Sequence, residues 1–286
     1  MSSCLKCPSC GLELIKINKS YICSNKHNFD ISKCGYVNLL LCNQKNSKDP
    51  GDSKEMIKSR NDFLQNGFYK VISDGLNKFI FDQLEKNAGN LSNICETGCG
   101  TGYYLSNLRK FLIENNFNQI DYCGLDISKH AIDIASRMNK DINWIVGNSY
   151  NTPLLNNSQN IILNIFSPYK IDEITRILKP NGKIYFIIPS KNHLNAFREI
   201  IYGNEEKEKN IDKLKSDIES SNNLKITNII EIEQELNIKN NKDIMNLLCM
   251  TPYYWNINLK QLDIFKNLNE ITTKINVIIV EATKGL

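Results

Sequence analysis

Apolar and polar positions along this chain fall into two regimes. From about residue 88 onward, short apolar runs of strand length alternate with stretches of helical spacing. The runs near 91–95, 120–125, 142–146, 160–166, 183–188, 224–233 and 274–281 predict strands. The stretches near 103–115, 128–138, 170–178, 193–220 and 241–249 predict helices. Alternation of this kind implies an α/β fold, a parallel sheet covered by helices on both faces. The last two strands are placed to pair antiparallel at one edge. Upstream, Ser53 caps a helix that runs to about Asn66, Gly67 ends it, and a second helix covers about 69–86 with Phe79, Ile80, Phe81 and Leu84 apolar. Further upstream, Leu12 to Ile17 and Ser20 to Ile22 predict a hairpin in a module too small to bury much core.

The stretch Asn43 to Ser53 is polar and contains Asp49-Pro50-Gly51-Asp52, a turn signal that marks a boundary. The division that follows is residues 1–44 as an N-terminal module, 45–87 as linker and helices, and 88–286 as the main domain. No apolar run approaches the roughly 20 residues that cross a bilayer, so no membrane partner is expected. The N-terminus has no charged-then-apolar export pattern. The chain carries a net +4, unevenly spread. Residues 1–60 hold ten Lys or Arg against five acids, a local +5, which leaves −1 for the rest. A basic module on a neutral body suits a phosphate-rich partner, and equally describes a solvated lysine-rich surface. The charged stretch Glu205 to Asn223 reads as a solvated helix face.

Chemistry concentrates in two places. The first is Glu96-Thr97-Gly98-Cys99-Gly100-Thr101-Gly102, between the first predicted strand and helix of the main domain, followed 24 residues later by Asp126. Such a turn brings backbone N–H groups and a helix N-terminus to a ligand, and an acid ending the next strand accepts hydrogen bonds from ribose hydroxyls. The spacing is G-x-G-x-G, which favours a nucleoside cofactor without a pyrophosphate. S-adenosylmethionine is the candidate, with Glu96, Gly98, Gly100, Thr101, Gly102 and Asp126 around it. Cys99 reads as a small residue filling a tight place. In a sheet of this class ligands bind at the carboxyl ends of the strands. Asn148, in Gly147-Asn148-Ser149, lies there as either an adenine partner or a plain turn residue. Phe166-Ser167-Pro168-Tyr169-Lys170 follows the fourth strand at the same edge. It is either a base-stacking and phosphate-contacting loop or a strand-to-helix turn with an aromatic in the core.

The second place is Cys7-x2-Cys10-x12-Cys23-x3-His27. Two knuckles that each supply two soft or borderline ligands make a tetrahedral structural zinc site with no open position for catalysis. Cys4 competes as a ligand with poorer spacing. The other cysteines, of ten in all, form no disulfide framework and read as reduced thiols in the cytoplasm.

Taken together the motifs resemble the bacterial 23S rRNA guanine-N1-methyltransferases, which act on one hairpin of the large-subunit RNA. The likeness runs from Cys7-Pro8-x-Cys10, Ser20-Tyr21-Ile22-Cys23 and His27-x-Phe29-Asp30 through Gly35-Tyr36-Val37-Asn38-Leu39-Leu40 and Asp49-Pro50-Gly51-Asp52-Ser53-x-Glu55-Met56. It continues with Arg60, Gly67, Tyr69, Gly98-Cys99-Gly100-x-Gly102-Tyr103-Tyr104 and Gly124-Leu125-Asp126. It ends with Pro189, His193-Leu194 and Met250-Thr251-Pro252-x-x-Trp255. Glu96-Thr97 departs from the more usual Asp-Ile or Asp-Val, and Tyr169 stands where relatives can carry a smaller residue.

The resemblance implies a Rossmann-like class I methyltransferase with an N-terminal zinc ribbon that recognises RNA. It implies zinc on Cys7, Cys10, Cys23 and His27, S-adenosylmethionine near Tyr69, Thr101, Gly102, Asp126, His193 and Leu194, and a homodimer whose zinc modules frame an RNA cleft. The expected reaction is methyl transfer to N1 of a guanine in a hairpin loop of 23S rRNA. Phe166, Ser167, Pro168, Tyr169, Lys170 and Trp255 are the candidate substrate contacts. Rough placement offers Asp172, Glu173 and His193 as general bases, against capping or exposure for each. Two other readings explain part of the pattern: a small-molecule methyltransferase of the same fold, and a zinc-ribbon RNA-binding protein with a vestigial cofactor site.

Overall fold

The computed structural model describes residues 4–44, 50–86, 92–203 and 210–285. Asp49, Leu91 and the segment 204–209, to which the sequence assigns a turn, a strand start and part of a helix, lie outside them. The N-terminal module contains β1 (Ile15–Ile17), β2 (Ser20–Ile22), β3 (Asn28–Asp30) and β4 (Val37–Asn38). Helices α1 (Lys54–Gln65) and α2 (Lys70–Lys86) follow. Then come β5 (Asn93–Thr97), α3 (Tyr103–Glu114), β6 (Asp121–Asp126), α4 (Lys129–Met138) and β7 (Asn143–Val146). The chain continues through β8 (Gln159–Ile165), α5 (Ile171–Ile177), β9 (Leu178–Pro189), α6 (Asn195–Tyr202) and α7 (Asn210–Glu219). It closes with β10 (Leu224–Ile238), α8 (Asn241–Cys249), α9 (Leu259–Asn267) and β11 (Ile271–Lys284).

The eight-stranded sheet has the order β10-β11-β9-β8-β5-β6-β7-β4. The six strands from β4 to β9 pair in parallel, and β9, β11 and β10 pair antiparallel. This is the predicted sheet with the predicted antiparallel edge. Strand order reverses beside β5, with β6 on one flank and β8 on the other, so the crevice between their carboxyl ends is the switch point where ligands bind. The inner strands read as continuous apolar runs because helices cover both faces: Ile94, Cys95, Leu125, Ile145, Ile162, Leu163, Phe186 and Ile187 are all buried.

Ser53 caps α1 as expected, its Oγ accepting the Met56 N–H at 3.2 Å. Several boundaries differ from expectation. β5 starts at Asn93 and includes Glu96 and Thr97, because both face buried surroundings and pair with Gly124 and Leu125. The helix expected over 193–220 is broken: α6 stops at Tyr202, and Gly203 takes φ 65°, a backbone conformation open mainly to glycine. α9 was not anticipated, although Asn258 and Gln261 form a capping box that announces it. β4 was also not anticipated. Two residues are too few to show a period, and Val37 and Asn38 become a strand only by pairing with Ile145 and Val146.

The N-terminal module is thereby built into the main sheet. Its three-stranded sheet, β1-β2-β3, carries the hairpin, and its buried Leu5, Cys7, Leu14, Tyr21 and Cys23 share one apolar cluster with Leu125, Ile145 and Leu154. The turn after β5 depends on Gly102, which sits at φ 77° where a Cβ would lie 2.2 Å from the Trp144 ring. Gly102→Ala combines a left-handed alanine with overpacking, and should lower stability by at least about 2 kcal/mol. A urea midpoint equal to the parent's would contradict this account of the turn.

Candidate functional site

The metal centre comes first in the chain. Cys7 and Cys10 sit on a turn closed by the Gly11 N–H donating to the Cys7 carbonyl (2.8 Å), with Gly11 at φ 78°. Cys23 and His27 sit on a second turn, where the Lys26 N–H donates to the Cys23 carbonyl (2.8 Å). The four ligand atoms lie within 4.8 Å of one another. Cys10 Sγ is 3.7 Å from Cys23 Sγ, and His27 Nδ1 is 3.6 Å from Cys7 Sγ and 3.4 Å from Cys23 Sγ. Those separations match the edges of a tetrahedron with zinc bonds of about 2.0–2.3 Å, so the donor set fits a closed structural zinc. Cys4 takes no part. Its Sγ lies 3.4 Å from Asn93 Oδ1, and burial pushes its thiol up to about 11.

The second site is a cavity of about 1320 Å³ at the carboxyl ends of β5, β6, β8 and β9. Glu96, Gly98, Gly100, Thr101, Asp126, Asn148, Tyr69, His193 and Leu194 all line it. Gly98, at φ 70°, admits the neighbouring loop, since a Cβ there would fall 1.8 Å from Ser167 Oγ. Asp126 accepts the Gly100 N–H on Oδ2 (2.9 Å) and the Ser128 N–H on Oδ1 (2.8 Å). Each oxygen keeps a lone pair for a ribose hydroxyl. Burial raises the Asp126 pKa, and those two N–H bonds oppose the rise. Glu96 is 1% exposed and accepts the Leu105 N–H at the start of α3 (3.1 Å). Burial holds its pKa well above the carboxylate range. Glu96 is buried and Asp126 half-buried beside one cavity, and a positive charge on a ligand there is favourable to both. Thr101 Oγ1 and the Tyr104 hydroxyl, both in residues lining the cavity, are buried with no partner among the described residues. These unmet polar atoms, together with the acids, fit a cationic nucleoside such as S-adenosylmethionine.

His193 carries a specific protonation state. Its Nδ1 accepts the Asn276 backbone N–H (3.2 Å), so in the neutral ring Nε2 holds the proton and donates to the Tyr69 hydroxyl (3.2 Å). Tyr69, 2% exposed, then has its own hydroxyl proton left for a ligand in the cavity. The Phe166 ring stacks on His193 at 5.8 Å with a 24° tilt, and burial lowers the imidazole pKa to about 4. Both ring nitrogens are engaged, so His193 has no lone pair for a general base.

The other predicted residues divide. Phe166, Ser167, Pro168 and Trp255 line the cavity, with Trp255 67% exposed at its mouth and Phe166 held at φ 49°. Gly102 lies behind the cavity against Trp144. Tyr169 and Lys170 are not brought to it. Beyond Pro168 the chain turns into α5, the Tyr169 ring packs edge-on against Phe186 (5.2 Å), and its hydroxyl donates to Asp217 (2.9 Å). Lys170 is the exposed residue preceding α5. Asp172 is exposed on α5, away from the cavity. Glu173 receives hydrogen bonds from Thr152 and Arg176. Burial works to raise its carboxyl, but these bonds outweigh it and hold the pKa below the usual value. Sequence reasoning gave no role to Arg60, Tyr104, Arg198 or Tyr202, which also line the cavity. Arg60 is paired with Asp52 and donates to the Met250 carbonyl (3.0 Å), tying α1 to the segment after α8. No spacing rule links residues so far apart.

Comparison with known proteins finds relatives for two parts of the chain. Residues 5–48 match the family described as "RlmA, N-terminal" and residues 94–182 match "Methyltransferase domain". The "23S rRNA (guanine(748)-N(1))-methyltransferase" of Streptomyces fradiae is 30% identical over 191 residues, 66% of this chain and 65% of that one. The "Putative 23S rRNA (guanine-N(1)-)-methyltransferase YxjB" of Bacillus subtilis (strain 168) is 30% identical over 210 residues, 70% of this chain and 69% of that one. The match thus spans about two thirds of each relative's length. Among solved structures, the plantazolicin methyltransferase BpumL in complex with SAH aligns with a TM-score of 0.48 and 14% identity, over 80% of this chain and 90% of that one.

A folded-state pKa near 4 for His193, against about 6.5 unfolded, makes its contribution to stability complete above pH 6.5 and lost as pH falls toward 4. Between pH 7 and pH 4 the parent should lose about 3 kcal/mol more than His193→Gln does. Parallel pH–stability curves for the two proteins would remove the buried neutral imidazole from the account.

Proposed function

The chain belongs to the 23S rRNA (guanine-N1)-methyltransferase family, and we propose that it methylates N1 of a guanine in a hairpin loop of 23S rRNA. The observation that carries this reading is the joining, in one chain, of a four-ligand zinc centre and a cavity lined by Glu96 and Asp126. A small-acceptor enzyme would leave the basic zinc module without a substrate to recognise. The main domain is a class I methyltransferase and its donor is S-adenosylmethionine, whose sulfonium supplies an electrophilic methyl group. The zinc is structural, since four protein ligands leave no open position.

In this reading Asp126 holds the ribose hydroxyls, with its carboxylate aimed by the Gly100 and Ser128 N–H groups. Glu96 faces the cationic end of the donor. Tyr69, fixed by His193, offers one hydroxyl proton as a donor into the cavity. Asn148 sits beside the adenine. Guanine N1 carries a proton that has to leave as the nitrogen takes the methyl group. His193 and Glu173 are engaged with other partners and Asp172 faces away. The residues therefore contribute chiefly alignment, which can account for several kcal/mol of barrier, and the N1 proton passes to solvent water at the mouth of the cavity. The target base reaches the methyl group unstacked, and in this reading Phe166 and Trp255, which line the cavity, stack on it. In this division residues 1–44 recognise the RNA, 45–87 are linker and helices that add Arg60 and Tyr69 to the cavity wall, and 88–286 form the methyltransferase domain. The same reading carries a homodimer, with zinc modules framing the RNA, and a cytoplasmic location. No helix among the described residues is long and apolar enough to cross a membrane.

The test is transfer of labelled methyl groups to unmodified 23S rRNA, with the product mapped by nucleoside mass spectrometry and primer extension. The expected product is a single N1-methylguanosine in one hairpin. No incorporation by folded, zinc-loaded protein that binds the donor would overturn the rRNA assignment and favour a small acceptor. In the same assay Trp255→Ala should lower kcat/KM about tenfold or more, as expected for a lost base–aromatic stack of about 1–3 kcal/mol, while affinity for S-adenosylhomocysteine stays at the parent value. A variant with parental kcat/KM would make Trp255 a bystander.

A further inference from the structure

The segment between β7 and β8 carries Asn148, Ser149 and Tyr150 into the cavity wall. Both of its ends are tied to the N-terminal module. At the upstream end, β4 pairs with β7, and the Leu39 N–H donates to the Val146 carbonyl (2.9 Å). At the downstream end, the Lys6 N–H donates to the Pro153 carbonyl and the Leu155 N–H donates to the Cys4 carbonyl, each at 2.9 Å, around a Leu5–Leu154 bridge. Leu5 and Leu154 are buried against one another's neighbours in a single apolar cluster.

The two anchors belong to opposite halves of the metal site. Lys6 adjoins Cys7 and is continuous with the first knuckle. β4 is reached from the second knuckle, through β3 and the Ile31–Val37 bridge. A metal on Cys7, Cys10, Cys23 and His27 therefore crosslinks the two strands that grip the ends of the cavity segment. Without it, the anchors are joined through the small β1-β2-β3 sheet, the Lys6–Glu13 bridge and their shared apolar cluster, none of which ties the first knuckle directly to the second.

We propose that the zinc centre clamps the segment carrying Asn148 to Tyr150, so that zinc and the adenosyl cofactor bind with positive linkage. The inference rests on the reading of the cavity as the cofactor site. Because coupling free energy is reciprocal, zinc raises cofactor affinity and cofactor raises zinc affinity by the same factor. The N-terminal module then has a task in the transfer domain as well as any it has on RNA.

The experiment is calorimetric titration of S-adenosylhomocysteine into zinc-loaded protein, chelator-stripped protein, and a zinc-loaded Lys6→Pro variant. That variant removes the N–H that grips Pro153 together with the Lys6 side chain, so a Lys6→Ala variant, which keeps the N–H and should bind like the parent, is titrated beside it, and the zinc content of both is checked by a colorimetric thiol-release assay. The expected result is a Kd about tenfold weaker in the stripped protein and in Lys6→Pro, within the usual range of coupling, with zinc held more tightly by the parent when the cofactor analogue saturates it. If stripping unfolds the sheet by circular dichroism, the Lys6→Pro titration decides alone. Equal affinity in fully loaded parent and Lys6→Pro, with zinc retention indifferent to the analogue, would overturn the linkage while leaving the cofactor site standing. Failure of the loaded parent to bind the analogue at all would overturn both.

Discussion

Everything at the site depends on one reversal in the winding of the sheet. β5 is followed by a crossover to β6 on one flank, and the chain returns to β8 on the other. The loops leaving β5 and β8 diverge in opposite directions and open a crevice that neither side fills. Its floor is set by the closeness of those loops. Gly98 is needed because Ser167 stands where its side chain would be, and Gly124 and Gly102 give way to the Trp144 ring. The cavity is therefore a consequence of topology, and the glycines are the condition for its walls to meet.

The electrostatics follow from the same position. A carboxylate at the end of an inner parallel strand is buried by the helices above it, and burial alone drives its pKa upward. Asp126 offsets this with two backbone N–H bonds, while Glu96 has one from Leu105. The site is left with acids that a cationic ligand would favour and with hydroxyls on Thr101 and Tyr104 that have no partner among the described residues. On the other wall, Asn276 selects the tautomer of His193, which in turn selects the direction of the Tyr69 hydroxyl. A backbone amide on β11 thus sets a donor that the ligand meets two residues away.

The N-terminal module is stabilised from two directions. Its metal ligands converge on a tetrahedron, and its apolar residues share a cluster with β6, β7 and Leu154. It extends the sheet instead of hanging from a linker, which places the metal within reach of the cavity wall through hydrogen bonds alone.

What the sequence determined by itself was local chemistry. Cys7, Cys10, Cys23 and His27 lie on tight turns whose spacing nearly dictates their geometry. The turn Glu96 to Gly102 and Asp126 are bound to the ends of strands that periodicity makes visible, and α1, α4, α8 and α9 carry their own side-chain caps. Tertiary structure decided which of these groups meet. Tyr169 and Lys170 follow the same strand as Phe166, yet Pro168 and the start of α5 carry them to the opposite side. Gly203 interrupted a helix whose charge pattern ran through it. β4, the Arg60–Met250 tie and the His193–Asn276 bond join residues distant in the chain, and no periodicity records such contacts. Their physical cause is packing: each exists only because other elements have already brought a partner within hydrogen-bonding distance.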